Sequence, residues 1–243
     1  MNFRKIVGFG DSWMYGDELL DPELKAKHSD AHTCWVQNTE YREQHCFLGQ
    51  LGQHYNVPTE NFGMPGGSLQ SAMWAYLWWL EHEPNPEECL VLVGHTDSDR
   101  ISHYNPSHVH YSNDPPWNKF IHSTWVEFGS SVVPEPFRDM IKKQIVLTNC
   151  PELSKLNYMQ TAMFFDGVSA RRNIQTMQFH IMPPDVQLDL PTLIWPDFSL
   201  TLWFRDHPDN QKRQLIMPGG HPNEIGHQMI TKKLISSVEY AII

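Results

Sequence analysis

No two cysteines in the chain have Cys-x-x-Cys spacing, and the four present, Cys34, Cys46, Cys89 and Cys150, are scattered through 243 residues. A zinc ribbon and a dense disulfide framework are therefore not indicated, and free buried thiols are expected. Basic residues are scarce too: 18 Lys and Arg stand against 28 Asp and Glu, a net charge of -10. Surfaces that neutralise nucleic-acid phosphates or anionic lipid need clustered cations, so neither partner is expected. No uninterrupted apolar run approaches the ~18 residues of a membrane span. The N-terminus enters a strand-like run directly, without the long apolar stretch of an export signal, so a soluble chain is expected.

At 40% hydrophobic residues the chain is long enough for one substantial core, most simply a single α/β domain spanning 1–243. Lys5-Ile6-Val7-Gly8-Phe9 reads as a buried strand that delivers Asp11 and Ser12 into a loop at its carboxyl end. Residues 46–55 carry Phe47, Leu48, Leu51 and Tyr55 at helical spacing, and 57–62 reads as a second strand ending in Gly63-Met64-Pro65-Gly66-Gly67-Ser68. Ser68 is the expected N-cap of a helix over 69–81. Cys89-Leu90-Val91-Leu92-Val93 is the continuous apolar run of a strand buried on both faces. Residues 136–173 read as helical with a possible break at 149–151, residues 176–182 as a fourth strand, and 223–240 as a closing helix with Ile225, Met229, Ile230, Leu234 and Val238 inward. Strands and helices alternate as in a doubly wound parallel sheet. Two Pro- and Trp-rich stretches, about 98–135 and 183–210, interrupt the alternation and read as long loop insertions.

Four blocks fall at loops in the order Gly10-Asp11-Ser12-Trp13, Asn61-Phe62-Gly63-Met64-Pro65-Gly66, Gly94-His95-Thr96-Asp97 and His221-Pro222-Asn223. Each is weak alone; four in order across nearly the whole chain resemble the SGNH or GDSL-type serine hydrolases. The resemblance implies a flavodoxin-like three-layer α/β/α sandwich with a parallel sheet. It also implies hydrolysis of carboxylic esters, acetyl or acyl groups on sugars or lipids among them, with no cofactor and no metal. The run from Gly94 to Arg100, Gly-x-Thr followed by Arg, is similar to phage-like branches of that family. The chain is accordingly expected to be cytoplasmic or, if phage-encoded, virion-associated.

A serine hydroxyl needs a base within hydrogen-bond reach, which makes Ser12 the candidate nucleophile and His221 the candidate general base and acid. The oxyanion of the tetrahedral intermediate needs preset donors. Backbone N–H groups of Ser12 and Gly66 can supply two. The family's third donor is an asparagine, matched here by Thr96. The family also places an aspartate three residues before the histidine, a position held here by Pro218. Asp206 and Asp209 are the nearest upstream carboxylates and the candidate third members; the alternative is a Ser12–His221 dyad with the imidazole held by a backbone carbonyl. Loss of the acid keeps a competing class open, a non-catalytic glycan-binding or virion structural module that retains the fold.

Other residues have plainer readings. Asp11 is expected to stabilise its loop through backbone N–H groups, and His227 to be structural. His103, His108, His110 and His122 lack the helical i, i+4 pairing of metallohydrolases, so a solvated loop is expected there rather than a metal site. Trp74, Tyr76, Trp78 and Trp79 read as sheet cover. Trp117, Trp125, Trp195 and Trp203 either line a carbohydrate groove or pin their loops.

Overall fold

The computed structural model describes residues 3–104, 120–124, 150–208 and 215–240, with backbone alone for 101–104 and 120–124. Its elements are β1 (Lys5–Gly10), α1 (Ser12–Tyr15), α2 (Pro22–Lys27), α3 (Thr39–His45), α4 (Phe47–Tyr55), β2 (Thr59–Gly63) and α5 (Leu69–His82). They continue with β3 (Cys89–His95), β4 (Arg100–Tyr104), β5 (Phe120–Thr124), α6 (Pro151–Arg172), β6 (Gln175–His180), α7 (Leu200–Asp206) and α8 (Glu224–Tyr240).

β2, β1, β3 and β6 form, in that order, a four-stranded parallel sheet. Successive side chains of a strand point to opposite faces, and every strand residue from Ile6 to Gly10 and from Cys89 to His95 is buried. On one face Ile6, Leu90, Leu92 and Phe179 pack with Phe47, Leu48 and Leu51 of α4, Phe204 of α7 and Ile230 and Leu234 of α8. On the other, Val7, Phe9, Val91 and Val93 pack with Ala72, Tyr76 and Trp79 of α5 and Phe165 of α6. Apolar side chains on both faces explain why β1 and β3 read as continuous runs rather than alternating ones.

The chain leaves β1 toward β2 on one side and returns to β3 on the other, so the carboxyl ends of β1 and β3 flank a topological switch point, where open α/β sheets bind ligands. Ser68 caps α5 in a reciprocal arrangement with Ser71, which gives the loop after β2 a fixed exit. No described helix is long and apolar enough to cross a membrane.

Several details differ from the sequence reading. The first insertion contains an antiparallel hairpin, β4 paired with β5 from Arg100↔Thr124 to Tyr104↔Phe120, whose short polar strands carry little hydrophobic pattern. The second holds α7, N-capped by Ser199. It also runs beside β6, where Gln178 N–H donates to Thr192 O and Ile194 N–H to Gln178 O, so the sheet edge is covered. α6 begins at Pro151, a favoured first helical residue; residues 136–149 lie outside the described residues. In α8 the buried positions are Gly226, His227, Ile230, Thr231, Leu234 and Val238, while Ile225 is exposed. Burial of a histidine and a threonine rotated that face away from the purely apolar reading. Cys46 and Cys89 are buried, Cys34 is half-buried and Cys150 is exposed, and all four are free. Tyr76 and Trp79 are core residues, but Trp74 is exposed.

Candidate active site

The site begins where β1 stops. Asp11, fully buried, N-caps the short helix α1 by accepting Trp13 N–H at 3.0 Å. Ser12 is therefore the first helical residue. Trp13 and Met14 are sunk into the core, with Trp13 against Phe204, so one turn of helix is held firmly enough to present a hydroxyl. The end of β2 must pass close by: a Cβ on Gly63 would sit 2.3 Å from Tyr15 N, which requires glycine there.

Beyond α1 the chain reverses at Gly16 and places Asp17 and Glu18 near Ser12 and His221. Glu18 has φ 65°, a left-handed conformation that costs a non-glycine residue about 1–2 kcal/mol. The segment is fastened at both ends. Arg42 donates to Tyr15 O at 2.7 Å and stacks 3.7 Å over the Tyr15 ring, while Asn38 donates to Leu19 O at 2.8 Å. In between, Asp17 Oδ1 accepts Glu18 N–H at 3.0 Å and the Thr33 hydroxyl at 2.8 Å. Strain of this kind persists only where surrounding contacts over-determine it, and it gathers at functional sites.

From the other end of the chain comes a turn, Met217 to Gly220, closed by Gly220 N–H on Met217 O at 2.9 Å, with Pro218 at its second position. This turn aims backbone donors at Glu18: Gly219 N–H reaches Oε1 at 3.0 Å and His221 N–H reaches Oε2 at 3.2 Å. A Cβ on Gly219 would lie 2.7 Å from both carboxylate oxygens, so a side chain there would push the Glu18 carboxylate out of its present place. His221 Nδ1 lies 2.9 Å from Glu18 Oε2, and His221 Nε2 lies 2.8 Å from Ser12 Oγ. An ionised carboxylate only accepts, so Nδ1 carries the proton and Nε2 offers its lone pair to the serine hydroxyl. Asp17 Oδ2 stands 3.9 Å from the same Nε2.

The carboxylate at the imidazole is thus Glu18, where the sequence reading offered Asp206 or Asp209. Asp206 is not near the imidazole: it pairs with Arg205 at 2.8 Å on the exposed end of α7, which holds its carboxyl below the usual range. Asp209 lies outside the described residues. Where Pro218 stands in place of the expected aspartate, the turn it helps form supplies N–H groups to a carboxylate that arrives from elsewhere in the chain.

Thr96 and Gly66 complete the ring of loops. Thr96 follows β3, is 3% exposed, and its Oγ1 is buried without a hydrogen-bond partner among the described residues. Such a vacancy costs about 1–3 kcal/mol, and in native proteins it calls for a functional explanation. Gly66, with φ 72°, is the third residue of a turn in which Gly67 N–H donates to Met64 O at 2.8 Å after Pro65. Met64 N–H in turn donates to Gly10 O at 3.0 Å, so this loop hangs directly on the end of β1.

Of the remaining candidates, Trp195 and Trp203 play structural parts. Trp195, Phe198 and Trp203 surround Lys233 Nζ of α8 at 4.8, 4.2 and 5.6 Å, and Trp195 Nε1 donates to Ser237, so these rings pin their loop. Trp117, Trp125, His108 and His110 lie outside the described residues, as do the side chains of His103 and His122. Among the described residues no cluster of three metal-ligating side chains exists.

No family model matches the chain, and no curated protein sequence matches it. Solved structures similar to it include two lipolytic proteins of the G-D-S-L family. The one from Desulfitobacterium hafniense DCB-2 has 12% identity and TM-score 0.49 over 96% of this chain and 99% of that one. The one from Veillonella parvula DSM 2008 has 13% identity and TM-score 0.44 over 96% of each. A psychrotrophic esterase from Pseudoalteromonas sp. has 12% identity and TM-score 0.46 over 98% of each chain. At such distances the likeness assigns no activity, and chemistry has to be argued from the residues.

Proposed function

We propose that the chain is a serine hydrolase of carboxylic esters in which Ser12, His221 and Glu18 form the catalytic triad. The observation that carries this reading is the continuous relay Glu18 Oε2, His221 Nδ1, His221 Nε2, Ser12 Oγ, with links of 2.9 and 2.8 Å. In it Ser12 Oγ attacks the ester carbonyl as His221 Nε2 takes the hydroxyl proton. The imidazolium, held by Glu18, then returns that proton to the leaving alcohol, and the acyl-serine is cleaved by a water activated at the same nitrogen. Ser12 N–H, which has no intrahelical partner at the start of α1, and the Gly66 N–H and Thr96 hydroxyl are assigned to the oxyanion. In this scheme the chain works as a single domain with two insertions. Ser12 is only 5% exposed, which favours a small acyl group such as acetyl, and an acetylated glycan is a fitting substrate of that kind.

A fluorescent or alkyl phosphonate is expected to label the protein to about one equivalent, mapped to the Ser12 peptide by mass spectrometry and absent in Ser12→Ala. Folded protein that neither takes the label nor hydrolyses p-nitrophenyl acetate overturns the reading. For the third oxyanion donor, Thr96→Val keeps the shape and removes the hydroxyl. It is expected to lower kcat about 10²-fold with little change in KM; unchanged kcat would remove Thr96 from the site.

A further inference from the structure

Arg100 lies four residues past Thr96, at the first position of β4, and its guanidinium turns back under the site. Its Nη1 donates to Asp11 Oδ2 at 3.1 Å and to Gly67 O at 3.3 Å, with the Arg100 side chain 16% exposed and that of Asp11 fully buried. Its own backbone is fixed by Arg100 N–H on Asp97 O at 3.2 Å. One residue therefore ties together the loops that follow β1, β2 and β3. Each tie falls beside a residue assigned to the oxyanion: Asp11 precedes Ser12, Gly67 follows Gly66, and Arg100 is held by Asp97, which follows Thr96.

We propose that Arg100 is the positioning residue of the oxyanion hole, setting the spacing of its three donor loops and neutralising the Asp11 carboxylate that sits directly behind the nucleophile. The electrostatic part follows from Coulomb's law in a poorly solvated site. Asp11 is required as a helix cap, yet an uncompensated negative charge next to Ser12 opposes the negative charge that develops on the substrate oxygen. Arg100 removes that conflict without itself contacting substrate. Its effect is felt where charge appears, in the transition state, and not in ground-state binding. The arrangement also makes the first insertion part of the machinery, since β4 is where that insertion begins.

The inference rests on the esterase reading, and phosphonate labelling of the unaltered protein separates the two: if that protein is not labelled, the esterase reading itself fails. Given labelling, Arg100→Gln is expected to lower kcat and the phosphonylation rate together by about 10²-fold, with KM within about threefold. The double variant Asp11→Asn with Arg100→Gln keeps a competent N-cap and removes the stranded charge, so it is expected to recover about tenfold of the loss. Methylguanidinium added to Arg100→Ala is expected to restore part of the rate. Folded Arg100→Gln with kcat within threefold of the parent overturns the proposal, as does a double variant no faster than Arg100→Gln. If Arg100→Gln does not fold, Arg100→Lys decides: it keeps the charge but not the planar fork. A kcat reduced about tenfold supports the proposal, and an unchanged one overturns it.

Discussion

Replacement of Glu18 by Gln is expected to lower kcat for ester hydrolysis by on the order of 10⁴-fold while KM moves only a few-fold. The size follows from what the amide does to the imidazole. Glu18 Oε2 accepts from His221 Nδ1 at 2.9 Å and so fixes the tautomer whose Nε2 lone pair faces Ser12. Glutamine in the same place keeps its oxygen on Gly219 N–H only by putting its NH₂ where Oε2 stood, against both His221 N–H and Nδ1. Nδ1 must then accept, Nε2 carries the proton, and the base is blocked. An imidazolium formed during attack also loses its counter-charge. Glu18→Asp is one methylene short of a carboxylate position where three groups bond its two oxygens, and is expected to recover little. Single-turnover rates with p-nitrophenyl acetate, with circular dichroism to verify folding, measure the effect. A folded Glu18→Gln that turns over within tenfold of the parent would show that the triad acid is another group, and Asp17, 3.9 Å from Nε2, would be the next to remove.

Why Glu18 escaped the sequence reading is a matter of where its position is decided. β1, β3 and α5 were legible because their signals are local: an apolar run buried on both faces, or a serine followed by a helix-forming stretch with its reciprocal cap. Ser12 and His221 were legible as the two ends of an ordered set of blocks. Glu18 has no such signal. It reaches the imidazole, and so becomes the proposed triad acid, only because Gly16 reverses the chain, Arg42 and Asn38 hold the reversal, and a turn from about 200 residues downstream lays Gly219 against it. The one local hint was two carboxylates just after Gly16, five and six residues past Ser12. The α8 face was misread for a related reason: hydrophobicity pointed to Ile225, but tertiary contacts bury His227, whose Nδ1 accepts Phe47 N–H at 3.2 Å. Periodicity measures apolarity, and a buried polar residue with a partner is invisible to it.

Those buried histidines set a second large expectation: the protein should lose its fold near pH 4.5. His95, His180 and His227 are all fully buried. Burial pushes His95 down to about 3, with neighbouring His180 adding to the effect; burial alone takes His180 to about 4; burial, with His221 nearby, takes His227 to about 3. Their hydrogen bonds show why a further proton is unwelcome. Gln178 Nε2 donates to Thr192, so Gln178 Oε1 accepts from His95 Nε2–H at 2.7 Å, leaving His95 Nδ1 to accept from Tyr158, which accepts from His180 Nδ1–H. A proton on His95 Nδ1 or on His227 Nδ1 meets an existing donor. All three are depressed below the ordinary value of about 6.5, so the unfolded chain binds more protons than the folded one, and stability is complete above that pH and falls as pH drops toward the folded values. Three groups at about 1.4 kcal/mol each per pH unit remove about 8 kcal/mol by pH 4.5, comparable with the 5–15 kcal/mol that holds a typical domain together. Urea unfolding between pH 7 and 4.5 should show a slope near three protons, reduced by about one in His227→Gln, whose amide oxygen still accepts from Phe47. A stability that stays flat across that range would mean the histidines do not remain neutral in the fold. Because His95 is the last residue of β3 and Thr96 follows it, the network that makes the protein acid-labile is joined through one peptide bond to the proposed oxyanion hole, and acid should disorder that end of β3 as it unfolds the chain.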